Sequence, residues 1–325
     1  MTGLGHNDLA SAASQPLPLR KIDFQIKPTP PFRLDLTVWA LRRRPHYLVD
    51  RWDGRTYRRV LLVYEQPLEV AVTQTGPVEA PLLRVEVNNS RPHWEWASFI
   101  ADQLVKMLGL HLDLAPFYRL AKQDDRLRPL AQRWRGLKPP QFPSVFEALV
   151  NAITCQQLSL TRGIHLLNRL AATYGPALPG EGESWPGFPR PADLADLAPE
   201  DLQDLGFSRK KGAALIELAR CFRNCNPNLE NLDTLGKSEA MARLRAFKGV
   251  GRWSAEYVLL RGLECWSVFP GDDVGGRRAL QAWLQLSEPP DYQGVSRHLA
   301  GWHPFGGLIY FHLLLNRLAE EGHLS

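Results

Sequence analysis

Residues 244 to 257 read Leu-Arg-Ala-Phe-Lys-Gly-Val-Gly-Arg-Trp-Ser-Ala-Glu-Tyr, and they constrain the fold more than any other stretch. A helical pattern stops at Gly249, one apolar residue intervenes, and a second helical pattern starts directly after Gly251. Two glycines so placed break a helix sharply, and a new helix beginning there presents main-chain N–H groups with no side chain in front of them, where a phosphate can sit. Val250 is positioned to plug the corner into its own core. Taken alone the corner fits an ordinary turn between two helices as well as an anion site. It does not fit a dinucleotide fingerprint, because a helix rather than a strand precedes it.

The rest of the chain sorts into two patterns. Alternation and β-branched content predict strands at residues 23–26, 59–64, 68–72 and 82–87, with a short helix over 35–44 between them. From residue 93 the period becomes helical, over 93–108, 114–120, 145–153, 161–174, 199–205, 209–223, 238–247, 253–261, 274–286 and 305–320. Ser144 with Glu147 reads as a capping box, and the Gly- and Pro-dense residues 176–191 read as a loop. The fold class is therefore α+β, a mostly helical body with an antiparallel sheet domain at its N-terminus. The organisation expected is a disordered leader over 1–20, a sheet domain with linking helices over 21–130, and a helical catalytic region over 131–325 completed by helices from 93–130.

Bulk properties narrow the partners. Lys and Arg number 39 against 34 Asp and Glu, and eight of the arginines fall within residues 31–60, which suits a polyanionic partner or a solvated basic face equally. The four cysteines lack the spacing of a secreted disulfide scaffold, and no apolar run approaches the roughly 20 residues that span a bilayer. The N-terminus has neither a basic start nor a following apolar segment. A cytoplasmic protein with no membrane partner is expected.

Chemistry enters at Val268-Phe269-Pro270-Gly271-Asp272-Asp273-Val274-Gly275-Gly276-Arg277-Arg278. Paired acids sit between a Pro-Gly turn and a helix start, where helix-end amides favour carboxylate charge. Charge alone does not separate them. Asp272 is assigned to capping the helix and Asp273 to chemistry.

At these residues the sequence strongly resembles the helix-hairpin-helix DNA glycosylases, and among them the bacterial DNA-3-methyladenine glycosylase II group. The resemblance spans roughly residues 20–320 and rests on 247–257, on 268–273, on Trp302-His303-Pro304-Phe305, and on Phe32-Arg33-Leu34-Asp35-Leu36-Thr37 followed by Trp39. It implies that Asp273 is the catalytic carboxylate and that Trp253 and Tyr257 line a base pocket with Gln156, Tyr310 and Leu314. Gln157 falls where the family inserts a wedge into the DNA, since extruding a base costs a few kcal/mol that the wedge helps to offset. The hairpin over 247–252, through Lys248, Gly249, Val250, Gly251 and Arg252, corresponds to a clamp on the DNA backbone. Arg277 and Arg278 are further candidates for phosphate contact, as is the 208–211 helix start. Family carbonyls at 247–251 also hold a structural monovalent or divalent cation; no side-chain metal site is implied.

Two departures qualify the resemblance. Leu314 stands where the alkylation-repair relative has a pocket Trp. Trp253 stands where lyase members carry a nucleophilic Lys, so no Schiff base forms at that position. The last cysteine, Cys265, precedes Asp273, and an iron–sulfur cluster is excluded on count and order. The expectation is a monofunctional hydrolase that needs no cofactor, acting as a monomer on damaged duplex DNA to release alkylated bases of the 3-methyladenine or 7-methylguanine type. The alternatives are a glycosylase for 8-oxoguanine or hypoxanthine, and a non-catalytic DNA-binding protein that kept the hairpin.

Overall fold

The computed structural model describes residues 20–89, 94–178, 185–224 and 231–324. The leader expected at 1–20 lies outside the described residues except for Arg20, as do Cys225 and residues 179–184 of the expected loop. Five strands, β1 (Arg20–Ile26), β2 (Arg51–Trp52), β3 (Thr56–Val63), β4 (Gln66–Gln74) and β5 (Leu83–Asn89), form one antiparallel sheet in the order β1-β5-β4-β3-β2. Alternating residues such as Leu68, Val70 and Val72 of β4, and Leu83, Val85 and Val87 of β5, are buried, as a sheet with one covered face requires. The two-residue β2 is too short for alternation to reveal. Tyr64, expected at the end of a strand, instead turns the chain with Glu65: both have positive φ (47° and 65°), the twist a two-residue hairpin needs, though neither is the glycine or asparagine that would announce it.

Helix α1 (Leu34–Arg42) follows β1, and among the described residues thirteen more helices follow the sheet. These are α2 (Trp94–Met107), α3 (Ala115–Lys122), α4 (Leu127–Arg133), α5 (Val145–Cys155), α6 (Leu160–Tyr174), α7 (Pro191–Leu194), α8 (Pro199–Asp204), α9 (Arg209–Asn224), α10 (Lys237–Arg245), α11 (Arg252–Gly262), α12 (Val274–Leu284), α13 (Tyr292–Leu299) and α14 (Gly306–Glu320). The short α4, α7 and α13 were not expected. Each has eight residues or fewer, so the apolar period has too few repeats to register. None of the helices is long and apolar enough to cross a membrane, among the described residues.

Sheet and helices share one apolar core, with α2 against β1 and β3, and α1 against α14. A buried ionic network joins them as well. Arg59 of β3 donates Nη1 to Asp50 Oδ1 (2.8 Å) and Nη2 to Glu147 Oε2 (2.5 Å), and Tyr57 Oη donates to the same Asp50 oxygen (2.7 Å). This network corrects half of the expected capping box. Ser144 Oγ does accept from Glu147 N–H (3.1 Å), but the Glu147 carboxylate reaches Arg59 and not back to Ser144.

The arginine-rich segment is turned inward for the same reason. Arg42, Arg43 and Arg59 are buried, while Arg33 pairs with Asp35, Arg44 with Glu321, Arg51 with Glu69 and Arg58 with Asp53. Most of these arginines brace the fold, while Arg55 remains exposed.

His312 of α14 is buried against Phe117, its Nδ1 2.7 Å from the Leu308 carbonyl and its Nε2 without a partner. Burial holds its pKa down at about 4, against 6.5 for the exposed ring. A pKa depressed in the folded state means that the unfolded chain binds the proton more readily. Stability is therefore present above about pH 6.5 and lost as pH falls toward about 4, by roughly 2–3 kcal/mol from this group. Denaturant unfolding of the parent and of His312→Leu across that range tests this. The gap between the two curves is expected to change with pH, and a constant gap contradicts it.

Candidate active site

Helix α10 ends at Arg245, and α11 starts at Arg252. Gly249 makes the corner at φ +82°, a conformation that side chains rarely adopt, and a Cβ there would also lie 3.2 Å from Ala214 Cβ. Val250 is buried as the plug, and its N–H donates to the Phe247 carbonyl (3.1 Å). That bond closes the hairpin on itself. Gly251 is the N-cap of α11 and has no side chain to accept the first-turn N–H groups. Lys248 is exposed and paired with Glu217 (3.0 Å).

The loop after α5 supports this corner. Gln156 Nε2 donates to the Gly249 carbonyl and to Ser254 Oγ, both at 2.7 Å. Lys211 Nζ, from the start of α9, donates to the carbonyls of Thr154 (2.8 Å) and Gln156 (2.6 Å). Lys211 is thus occupied within the protein, while Arg209 and Lys210 are exposed. Gln157 is held at φ +54° with its side chain exposed, and beside it Leu158 is 39% exposed, an apolar side chain at the rim that the sequence reading passed over.

Asp273, and not Asp272, is the N-cap of α12. Its Oδ1 accepts from Gly276 N–H at 2.6 Å. Asp272 instead makes a two-pronged ion pair with Arg252 (2.6 and 3.0 Å), drawn away from the helix start because that guanidinium projects from the first residue of α11. Capping occupies one oxygen of Asp273. The other, Oδ2, accepts from Trp253 Nε1–H (3.2 Å) and from Tyr310 Oη–H (3.1 Å), so three donors fix the carboxylate in one orientation. The glycine pair after it leaves room for this: a Cβ at Gly276 would lie 3.0 Å from the Tyr310 ring, and one at Gly275 would lie 2.5 Å from Arg317 Nη1.

Behind the loop, Glu256 of α11 accepts from Gly271 N–H (3.0 Å) and from Tyr292 Oη–H (2.7 Å). Burial pushes the Glu256 carboxyl above its usual range. Tyr292 in turn lies under the Arg252 guanidinium, 3.7 Å from ring centroid to charge, so the acidic loop is tied to the hairpin helix from two sides.

A cavity of about 820 Å³ opens beside Asp273. Trp253 and Tyr257, with ring centroids 5.5 Å apart, form a wall with Tyr310 and Leu314, and Gln156, Gln157 and Leu158 stand at the lining on the other side. Its volume lies in the range of small-molecule sites. Arg43 and Arg261 also line it, each nearly fully buried, and Arg317 and Arg278 contribute nearer the surface. No group of three or more His, Cys, Asp or Glu side chains is arranged to hold a metal among the described residues.

Residues 150–304 match the family model of the HhH-GPD superfamily base excision DNA repair proteins. Over those residues, a little under half of the chain, it is similar to this superfamily. It is 29% identical to the DNA-3-methyladenine glycosylase of Bacillus subtilis over 231 residues, 70% of this chain and 75% of that one. To DNA-3-methyladenine glycosylase 2 of Escherichia coli it is 37% identical over 182 residues, 55% of this chain and 60% of the relative. The solved 3-methyladenine DNA-glycosylase of Archaeoglobus fulgidus superposes with a TM-score of 0.77 at 27% identity, covering 90% of this chain and 97% of that one. Both the helical body and the sheet domain are therefore shared with a solved member.

The fold gathers Asp273, Trp253, Tyr257, Gln156, Gln157, Tyr310, Leu314, Gly251, Arg252 and Arg278 around one cavity. Arg277 is not among its walls, being half-buried with an unpartnered Nε. The residues that sequence reasoning missed are Arg43, Arg261, Arg317, Cys155 and Ser254 in the cavity, and Glu256 and Tyr292 behind the acidic loop. Arg43 stood in a run of three arginines with nothing to distinguish it. Arg261 could have been noticed, since it lies four residues beyond Tyr257 on the same helix face, where an arginine buried among aromatics is unusual.

Proposed function

We propose that this protein is a monofunctional DNA glycosylase that turns an alkylated base, of the 3-methyladenine or 7-methylguanine type, out of duplex DNA and hydrolyses its N-glycosidic bond, leaving an abasic site. The observation that carries the reading is the Asp273 carboxylate, held by three donors at the edge of an aromatic-walled cavity. A helix cap needs one carboxylate oxygen; the second, oriented by Trp253 and Tyr310, has a place in chemistry. The names of the relatives support the same substrate class.

As the C1′–N bond breaks, its electron pair leaves with the base, so a cationic alkylated base departs neutral while positive charge develops on the sugar. Asp273 stabilises that charge and orients the water whose oxygen bonds to C1′, and the proton that the water releases passes to the carboxylate and on to solvent. Trp253 and Tyr257 offer stacking surface to the base. Gln157, with Leu158 next to it, occupies the space the nucleotide vacates. The uncapped N–H groups at the start of α11, with Arg252 and Arg278, hold the backbone, so binding weakens as salt rises. Phe247 and Gly249 carbonyls each accept one hydrogen bond, from Val250 and from Gln156, and keep a second lone pair; these oxygens would hold a monovalent or divalent cation, which would add positive charge near a DNA phosphate. The protein is taken to act as a monomer on DNA in the cytoplasm.

The test is base release from duplexes carrying single lesions. Free base and an unbroken abasic strand are expected, with no protein–DNA adduct trapped by borohydride, because Trp253 and not an amine stands on the cavity wall. Strand scission with a trapped adduct contradicts the monofunctional reading, and retention of every lesion contradicts the reading altogether.

A further inference from the structure

Beneath the cavity lie two positive charges with no carboxylate in ion-pair contact among the described residues. Arg43 donates Nη1 to Tyr257 Oη and Nη2 to Asn151 Oδ1, both at 2.8 Å and both neutral partners. Arg261 donates Nη2 to the carbonyls of Ala40 (2.9 Å) and Leu41 (3.2 Å) at the end of α1. The two side chains are 4% and 1% exposed, each has a buried Nε without a partner, and neither is within ion-pair distance of a carboxylate among the described residues. Arginine does not shed its proton to escape burial, so both charges persist. Arg261 has a structural duty, since it satisfies the last carbonyls of α1. Arg43 bonds groups that a neutral amide could serve, and it sits in the left-handed region at φ 61°, where a residue other than glycine is held at a cost.

These charges change what the aromatic wall can select. A tyrosine face attracts a cation, yet the Arg261 guanidinium already lies 5.5 Å from the Tyr257 ring centroid and uses that attraction. Because the Tyr257 hydroxyl accepts from Arg43, its own proton is the one left to give.

We propose that Arg43 is a specificity-determining residue of the base pocket, which makes the cavity floor positive and sets the Tyr257 hydroxyl to donate. Neutral lesions with a carbonyl or ring-nitrogen acceptor on the inward edge are favoured over bases that carry a fixed positive charge. Within the alkylated class this ranks a neutral adduct such as 1,N6-ethenoadenine above its charged methylated counterparts. The inference rests on reading the cavity as the base pocket. It adds that the sheet half of the chain, through the residue following α1, decides part of the lesion spectrum.

The experiment is single-turnover release of 1,N6-ethenoadenine and of 7-methylguanine from matched duplexes by the parent, Arg43→Gln, Arg43→Lys and Tyr257→Phe, each checked for a cooperative melt. Arg43→Gln is expected to shift the ratio of the two rates by about tenfold toward the charged lesion, equal to about 1.4 kcal/mol. Arg43→Lys restores most of the parent ratio, because it keeps the charge. Tyr257→Phe lowers release of the neutral lesion more than of the charged one, and it decides the matter if Arg43→Gln does not fold. Loss of both activities by one common factor in the folded variants overturns the proposal, leaving Arg43 a brace. Release of neither base by the parent instead overturns the reading of the cavity itself.

Discussion

Replacing Asp273 by asparagine is expected to lower single-turnover base release by about 10³-fold or more while duplex binding stays within a few-fold of the parent. The substitution separates the two tasks of this residue. Asparagine caps helices as well as aspartate does, so the bond to Gly276 N–H survives and the stability change is expected to stay below about 1 kcal/mol. What disappears is the charge that faces the sugar as the bond breaks. Trp253 and Tyr310 both donate to Oδ2, and they serve an amide oxygen less well than a carboxylate. Tight binding without release, in a protein that melts like the parent, is the expected signature; a stable variant that releases base at the parent rate removes Asp273 from the chemistry.

The second large effect is on stability and lies far from the DNA face. Arg59→Leu is expected to destabilise the fold by about 3–5 kcal/mol, because it strands Asp50 and Glu147 as buried carboxylates with no counter-ion. Burial already pushes the Glu147 carboxyl up to about 7 even with Arg59 beside it, so the sheet-to-helix junction carries two acids against one base. Without Arg59 that carboxyl rises further, and the variant's deficit grows as pH climbs through the neutral range. Urea unfolding of the two proteins at several pH values measures this. A loss under about 1 kcal/mol would mean that water or repacking compensates within the network.

The sequence exposed the helical body wherever an apolar stripe ran for three turns or more, as in α2, α6 and α14. It also exposed the hairpin, because Gly249 and Gly251 act through their own backbones, and a local cause leaves a local trace. The acidic pair showed the limit of such reading. Which of Asp272 and Asp273 caps α12 depends on where Arg252 projects, twenty residues earlier in the chain, and the helix start alone holds no sign of it. Arg43 illustrates the same limit more strongly, since its partners Asn151 and Tyr257 lie 108 and 214 residues away. A buried arginine and a solvated one look alike until the fold brings their partners together.

The account turns on the Asp273 carboxylate facing the sugar of an extruded nucleotide while the hairpin amides hold the strand, and the most direct measurement is a crystal structure with duplex DNA bearing a cationic pyrrolidine abasic analogue. The expected result is an Asp273 oxygen within about 3–3.5 Å of the pyrrolidine nitrogen, with the Gly251 corner on a neighbouring phosphate. A nucleotide left stacked in the helix, or an extruded sugar lodged away from Asp273, would contradict it.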